Sequence, residues 1–330
     1  GPSGTRRGRV SRWSRYSNRD RARTQTGRRR TSLTREAAGS SVASRVMARH
    51  VAVVTDSTSY LPTRWALDHQ ILKVPVQVVV SGKAFREGVD ISTAEVAHAL
   101  REWQAVSTSR PSPGDFAAAY ATAAESGVDH IVSVHLSAEL SGTYQTALLA
   151  AKDSPVPVTV IDSRTLAMGL GFACLTGAEL AETGAGVEEI VAAVTARATQ
   201  SHTYFYVDSL EYLKRGGRIG KASAAIGAAL RVKPILSVVD GSVELLEKAR
   251  TPSKALARLP AISVAAARDA GGDVDIAVQH IDASARADEV AEQLSVHLGG
   301  QEIVRIEIGA VVGAHVGPGC VAVTVTPKAK

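Results

Sequence analysis

From Val51 onward the hydrophobic positions of this 330-residue chain follow two alternating rhythms. Short β-branched runs alternate with longer alanine-rich stretches whose apolar positions recur at helical spacing, the pattern of strands joined by crossover helices. Val51 to Val54, Val74 to Val80, Ile131 to His135 and Val156 to Ile161 predict a first group of strands, with helical spacing between them such as Thr93 to Trp103. A long helical stretch from about Leu166 to Gln200, interrupted by TGAGV, leads to a second group at Thr203 to Val207, Ile235 to Val239, Val274 to His280, Glu302 to Ile308 and Val321 to Thr326. VVDGSVELL predicts a hairpin, because Asp-Gly supplies the positive φ angles of a tight turn. Residues 285 to 298, with Val290, Leu294 and Leu298 on one face, predict an amphipathic surface helix. The pattern is that of an α/β protein: a parallel-sheet domain over 49–165, a mixed α/β domain over 166–330, and a ligand cleft between them. No internal repeat is evident.

Residues 1–48 lack this periodicity. They read as an arginine-rich extension that buries too little apolar surface to offset its ordering entropy, so disorder is expected. The net charge of +6 conceals a division. Residues 1–50 carry 14 Arg against Asp20 and Glu36, or +12, while the other 24 basic and 30 acidic residues leave −6. The tail admits two readings. Clustered arginine suits a nucleic-acid arm; alternatively, GPSGT is a cloning remnant followed by translated upstream sequence, with the start at Met47. The arginines show no helical stripe and no aromatic platform beyond Trp13 and Tyr16, which favours the second reading, so nucleic acid is not expected as a partner.

No apolar run reaches the ~18 residues of a spanning helix, so no membrane span is expected. Cys174 and Cys320 have no metal-ligand spacing, no disulfide or metal site is expected, and their usage fits a reducing cytoplasm.

Two phosphate-loop look-alikes fail on their residues. GGRIGKAS has Arg215 where a Walker loop requires Gly, and Ala222 where Ser or Thr would bind magnesium. GLGFAC places Cys174 at the third small position and follows helical sequence. Other segments are richer. VVTDSTSYLP ends a strand in Asp56, which reads as a cap lining the cleft. STSRPSPGDF sets Ser107, Thr108 and Ser109 in a proline-stiffened loop, with Asp115 as a helix cap. HLSAELSGTYQTA follows a central strand, and Ser137, Ser141, Thr143 and the N–H groups around Gly142 either converge on an anion or simply cap the next helix. His135, just before them, is a general base or a buried core residue. Arg218 follows a double glycine, which lets it project over a ligand or into solvent. His315, between flexible glycines, is a ligand contact or a structural histidine.

Taken in order, VVTDSTSYLP, TSRPSPGDF, LSAELSGTYQTA, VIDSRTLAMGLG, LEYLKRGGRIG, LRVKPIL with DG and KART, and GAHVGPG resemble the DegV family over about residues 50 to 327. The resemblance implies a two-domain DegV-like fold that holds a long-chain fatty acid between its domains and catalyses nothing itself. A separate ATP-dependent bacterial fatty acid kinase subunit would phosphorylate the carboxylate for phospholipid synthesis; no cofactor is implied. By similarity the ligand-binding residues would be Thr108, Ser109, Ser137, Ser141, Gly142, Arg218 and His315, with Arg218 near the kinase docking face. The chain departs from the family at Arg110, where Gln is usual, and at Ala138 and Glu139; Glu139 is expected to point outward. The alternative is an autonomous enzyme, a hydrolase using Ser137 or Ser141 or a phosphotransferase using Asp56, although no GxSxG elbow, magnesium motif or phosphate loop accompanies them.

Overall fold

The computed structural model describes residues 50–226 and 232–329; the arginine-rich extension, and with it the expectation of disorder, lies outside the described residues. The first half of the body contains β1 (Val51–Asp56), α1 (Thr63–Asp68), β2 (Leu72–Val74), β3 (Gln77–Val80), β4 (Lys83–Arg86), α2 (Thr93–Arg101), β5 (Val106–Ser109), α3 (Pro113–Glu125), β6 (His130–His135), α4 (Thr143–Ala151) and β7 (Val158–Asp162). Then come α5 (Met168–Glu182), α6 (Val187–Thr199), β8 (His202–Tyr206), α7 (Glu211–Arg215), α8 (Ala222–Ile226), β9 (Lys233–Val239), β10 (Ser242–Ala249), α9 (Pro252–Asp269), β11 (Val274–His280), α10 (Ser284–His297), β12 (Val304–Glu307), α11 (Ala310–Val316) and β13 (Val321–Pro327).

The first sheet is parallel, in the order β2-β1-β6-β7. Every residue of β1 is buried, because helices cover both faces and a parallel strand so covered reads as a continuous apolar run. Phe116 and Tyr120 of α3 and Ala147 of α4 pack on Ala52, Val54 and Ile131 from one side, while α5 and α6 lie against the other. The stretch GLGFAC sits inside α5, where a side chain on Gly171 would meet the Ser59 carbonyl at 2.6 Å. Its glycines serve close packing.

The run expected as one strand from Val74 to Val80 divides at Pro75, which cannot donate to a ladder. β2 stays in the parallel sheet, and β3 joins a separate antiparallel sheet, β4-β3-β5. That sheet absorbs the hydroxyl segment expected as a loop: Ser107, Thr108 and Ser109 belong to β5, with Thr108 opposite Val78. The following helix begins one turn earlier than expected. Ser112 is the N-cap and Asp115 the third residue of a reciprocal capping box, so Asp115 supports the cap and is not itself the cap.

The second sheet, β10-β9-β8-β13-β11-β12, is mixed, with β11 and β12 its parallel pair. The Asp240-Gly241 hairpin forms as the sequence predicts, with φ of 48° and 81°. α9, which no sequence expectation covered, packs with α10 over one face through Leu259, Val264, Val290 and Leu294. The opposite face presents Phe205, Leu236 and Ala322 toward α11 and the interior. His315, expected among flexible glycines, stands in the last turn of α11, whose end is set by Gly317 at φ 75°.

Candidate functional site

Between the inner face of the mixed sheet and the carboxyl end of the parallel one lies a cavity of about 260 Å³. Its walls are aliphatic and aromatic: Phe205, Leu213, Val238, Ile308, Val312 and Ala322 among others. Polar side chains gather at the end where β5, the turn before α4, the loop after α7 and the end of α11 meet. Six of the seven residues expected from the sequence line it: Thr108, Ser109, Ser141, Gly142, Arg218 and His315.

Ser137 is the exception. It is fully buried, its hydroxyl donates to the Gly241 carbonyl at 2.8 Å and accepts from the Glu139 N–H at 3.2 Å. Any side chain on Gly241 would collide with that hydroxyl. The oxygen is consumed in locking the hairpin tip onto the loop after β6, and Ser137 does not belong to the cavity lining. Glu139 is exposed and also off the lining, consistent with the outward orientation expected of it.

The imidazole of His315 and the hydroxyl of Thr108 meet at 2.8 Å through Nε2. Nδ1 is buried without a partner among the described residues; it lies against Gly216, where a β-carbon would strike the ring. Burial, and then the positive charge of Arg218, push the His315 pKa down to about 4. The ring is therefore neutral near pH 7 and offers one donor and one acceptor rather than a charge. Arg218 supplies the charge. Gly217, at φ 68°, turns the chain so that the Arg218 Nε donates to Leu140 O at 3.0 Å and Nη1 to Gly216 O at 2.6 Å. The remaining guanidinium hydrogens stay free of these bonds. Ser141 and Thr143 share a hydroxyl contact of 2.8 Å, and the Thr143 N–H, the first of α4, donates to Ser141 Oγ at 3.3 Å, so the turn itself engages the start of the helix.

α11, which carries His315, is held by residues the sequence did not single out. The Val311 N–H donates to Glu87 Oε1 at 2.7 Å and the Val312 N–H to the Tyr60 hydroxyl at 3.1 Å, while Tyr60 and Ser57 both donate to the Glu87 carboxylate. Burial raises the Glu87 pKa, and burial together with the Glu87 charge raises that of Tyr60 well above the ordinary phenol value. Gly309 admits this approach, since a side chain there would strike both Glu87 and Tyr60. No local signal marks Glu87. Its partners lie 27 to 224 residues away along the chain. Thr203, Gln279 and Arg110 also line the cavity; of these only Arg110 had a signal, its place directly after Thr108 and Ser109.

Asp56 has a different setting. It accepts from the Thr58 and Leu136 N–H groups, each at 3.0 Å, and faces Nδ1 of His135 at 3.0 Å. Nε2 of His135 reaches Ser133 Oγ at 2.7 Å. These are the residue types of a nucleophilic triad, yet all three are fully buried and outside the cavity, with the Phe116 ring edge-on to the imidazole. Asp56 is a cap, as expected, but it does not line the cleft. Among the described residues no group of three or more His, Cys, Asp or Glu is placed to hold a metal ion, and no helix is long and apolar enough to cross a membrane.

Residues 50–328 match the model of an uncharacterised protein family, DegV. The chain belongs to the DegV family. A DegV domain-containing protein of Streptomyces coelicolor is 52% identical over 283 residues, which cover 86% of this chain and 100% of that protein. Among solved structures, a fatty-acid-binding DegV family protein of Thermus thermophilus superposes with a TM-score of 0.77 at 35% identity, covering 84% of this chain and 100% of the other. DegV of Bacillus subtilis, described as a fatty acid binding protein, gives 0.77 at 33% identity, with 85% and 100% covered. The mixed α/β architecture, with one parallel and one mixed sheet, is thus a DegV fold, and fatty acid binding is a property of DegV proteins of known structure.

Proposed function

We propose that this chain binds a long-chain fatty acid with its tail in the cavity and presents the carboxylate, at the polar end, to an ATP-dependent kinase subunit. In this reading the partner forms the acyl phosphate for phospholipid synthesis in the cytoplasm, and the chain itself makes and breaks no bond and needs no cofactor. The proposed lobes, 49–165 and 166–330, each supply part of the wall. The first gives Thr108, Ser109, Ser141 and Gly142; the second gives Arg218 and His315.

One observation carries the reading: an apolar cavity, interrupted on its sheet face by Thr203 and Gln279, whose other polar residues cluster around a hydroxyl–imidazole pair and a guanidinium, with no carboxylate among its described lining residues. Each buried CH₂ contributes about 0.8 kcal/mol, so a long chain grosses on the order of 10 kcal/mol before ordering costs. The carboxylate resists leaving water unless donors replace its hydration. Thr108, Ser109, His315 and Arg218 are those donors. The enzyme alternative named Ser137, Ser141 and Asp56, and their settings do not favour it: Ser137 is bonded to Gly241, Asp56 is sealed, and Ser141 contacts Thr143 rather than a base.

Organic extraction of the purified protein followed by mass spectrometry should recover a long-chain fatty acid. Reloading the stripped protein and adding the kinase subunit with ATP should yield acyl phosphate. Protein that arrives empty and takes up no fatty acid would overturn the reading.

A further inference from the structure

The turn Leu140–Ser141–Gly142 is bracketed by two guanidinium groups. Arg218 donates to the Leu140 carbonyl on one side. On the other, Arg110 lies across Gly142, with Nη1 2.9 Å and Cδ 3.1 Å from the point where a β-carbon on that glycine would sit. A larger residue at 142 would displace Arg110, so the glycine and the arginine form a fitted pair. Both arginines line the cavity, and neither forms a salt bridge with a carboxylate among the described residues. Glu139, the acid in the same turn, is exposed and off the lining.

Two permanent cations, Arg110 and Arg218, face the polar end, and no anion stands among the described lining residues to balance them. A carboxylate carries one negative charge and neutralises one guanidinium; a phosphate monoester carries nearly two near pH 7, with three acceptor oxygens for the second. We propose that Arg110 is a head-group specificity residue, which, with Arg218, makes this mouth favour a dianionic phosphate head on an alkyl or acyl chain over the carboxylate of the same chain. This rests on the fatty-acid reading and extends it: the phosphorylated lipid would be held more tightly than the acid from which it is made. Arg110 itself is exposed, so solvent and salt screen its contribution, and the expected preference is a modest factor rather than an absolute one.

The test is a pair of titrations by calorimetry at low ionic strength, hexadecanoate against hexadecyl phosphate, on delipidated wild type, Arg110→Gln and Arg110→Lys. The wild type should bind the phosphate more tightly. Arg110→Gln should reduce the phosphate-to-carboxylate affinity ratio by roughly five- to tenfold, and Arg110→Lys should retain part of it. Hexadecanoate binding with no phosphate preference in the wild type, or an unchanged ratio in Arg110→Gln, overturns the inference and leaves the fatty-acid reading standing. Failure of both ligands to bind the wild type overturns the fatty-acid reading itself.

Discussion

Two hydroxyl–imidazole pairs in this molecule show how surroundings assign a role. Ser133 and His135 lie beside Asp56 within the parallel sheet, sealed by Phe116 and bonded into a chain that Tyr120 extends at 3.0 Å from Ser133. Thr108 and His315 make the same kind of contact at the end of a cavity, beside two guanidinium groups. The sealed pair has a carboxylate at hand and nothing to bind. The open pair has cations at hand and room for an anion. Residue type alone does not separate structure from binding here; access and the sign of the neighbouring charge do.

The strongest test of this contrast removes the carboxylate beside the sealed pair and the imidazole of the open one. Asp56→Ala strands the Leu136 and Thr58 N–H groups and Nδ1 of His135 in a buried setting, and should cost on the order of 3 to 5 kcal/mol of stability in a denaturant melt. The folded fraction should keep its affinity for lipid. His315→Ala should do the reverse, leaving the melt within about 1 kcal/mol while weakening fatty acid binding by roughly 10- to 100-fold, read by calorimetry, through the loss of a hydrogen bond to a charged group.

A pH series sharpens the comparison. The folded, empty protein holds His315 down at about 4 against about 6.5 for the unfolded chain, so between these values the unfolded state takes up a proton that the folded state refuses. The stabilising contribution of the neutral ring is fully present above pH 6.5 and is lost as pH falls toward 4. Relative to a His315→Gln variant, the wild type should lose roughly 2 to 3 kcal/mol across that window in melts of the empty protein. Bound fatty acid brings a negative charge to the ring and should flatten the slope. The smallest effect is expected at Ser137. Because its hydroxyl is bonded to Gly241, Ser137→Ala should cost about 1 to 2 kcal/mol of stability and change lipid affinity less than His315→Ala does, a comparison that calorimetry and melts on the two variants resolve.

The order of elements was readable because helices and strands write their periods locally. β1, β6, β11, α10 and the Asp240-Gly241 turn all follow from patterns within a dozen residues. The failures occurred where a distant partner decides. Ser107 to Ser109 form a strand because β3 is there to pair with them, and Pro75 splits a run that hydrophobicity alone joins. Ser137 looked like its neighbours in the hydroxyl turn, yet a carbonyl 104 residues onward claims it. α9 is hard to read from sequence: Thr251 and Pro252 stand at its start, the residues of a helix N-terminus, but Pro260 interrupts the helical pattern. Glu87 could not have been found, since it has meaning only beside Tyr60, Ser57 and the first turn of α11.

The central claim is that an anionic head group sits against Thr108, His315 and Arg218 while its chain fills the cavity. Carbon-13 NMR of carboxyl-labelled hexadecanoate bound to the delipidated protein tests it most directly. The account predicts a single bound carboxylate resonance, displaced from that of free ligand and shifted again in His315→Ala and in Arg218→Ala. A bound resonance at the same position in wild type and both variants, or no bound resonance at all, would contradict it.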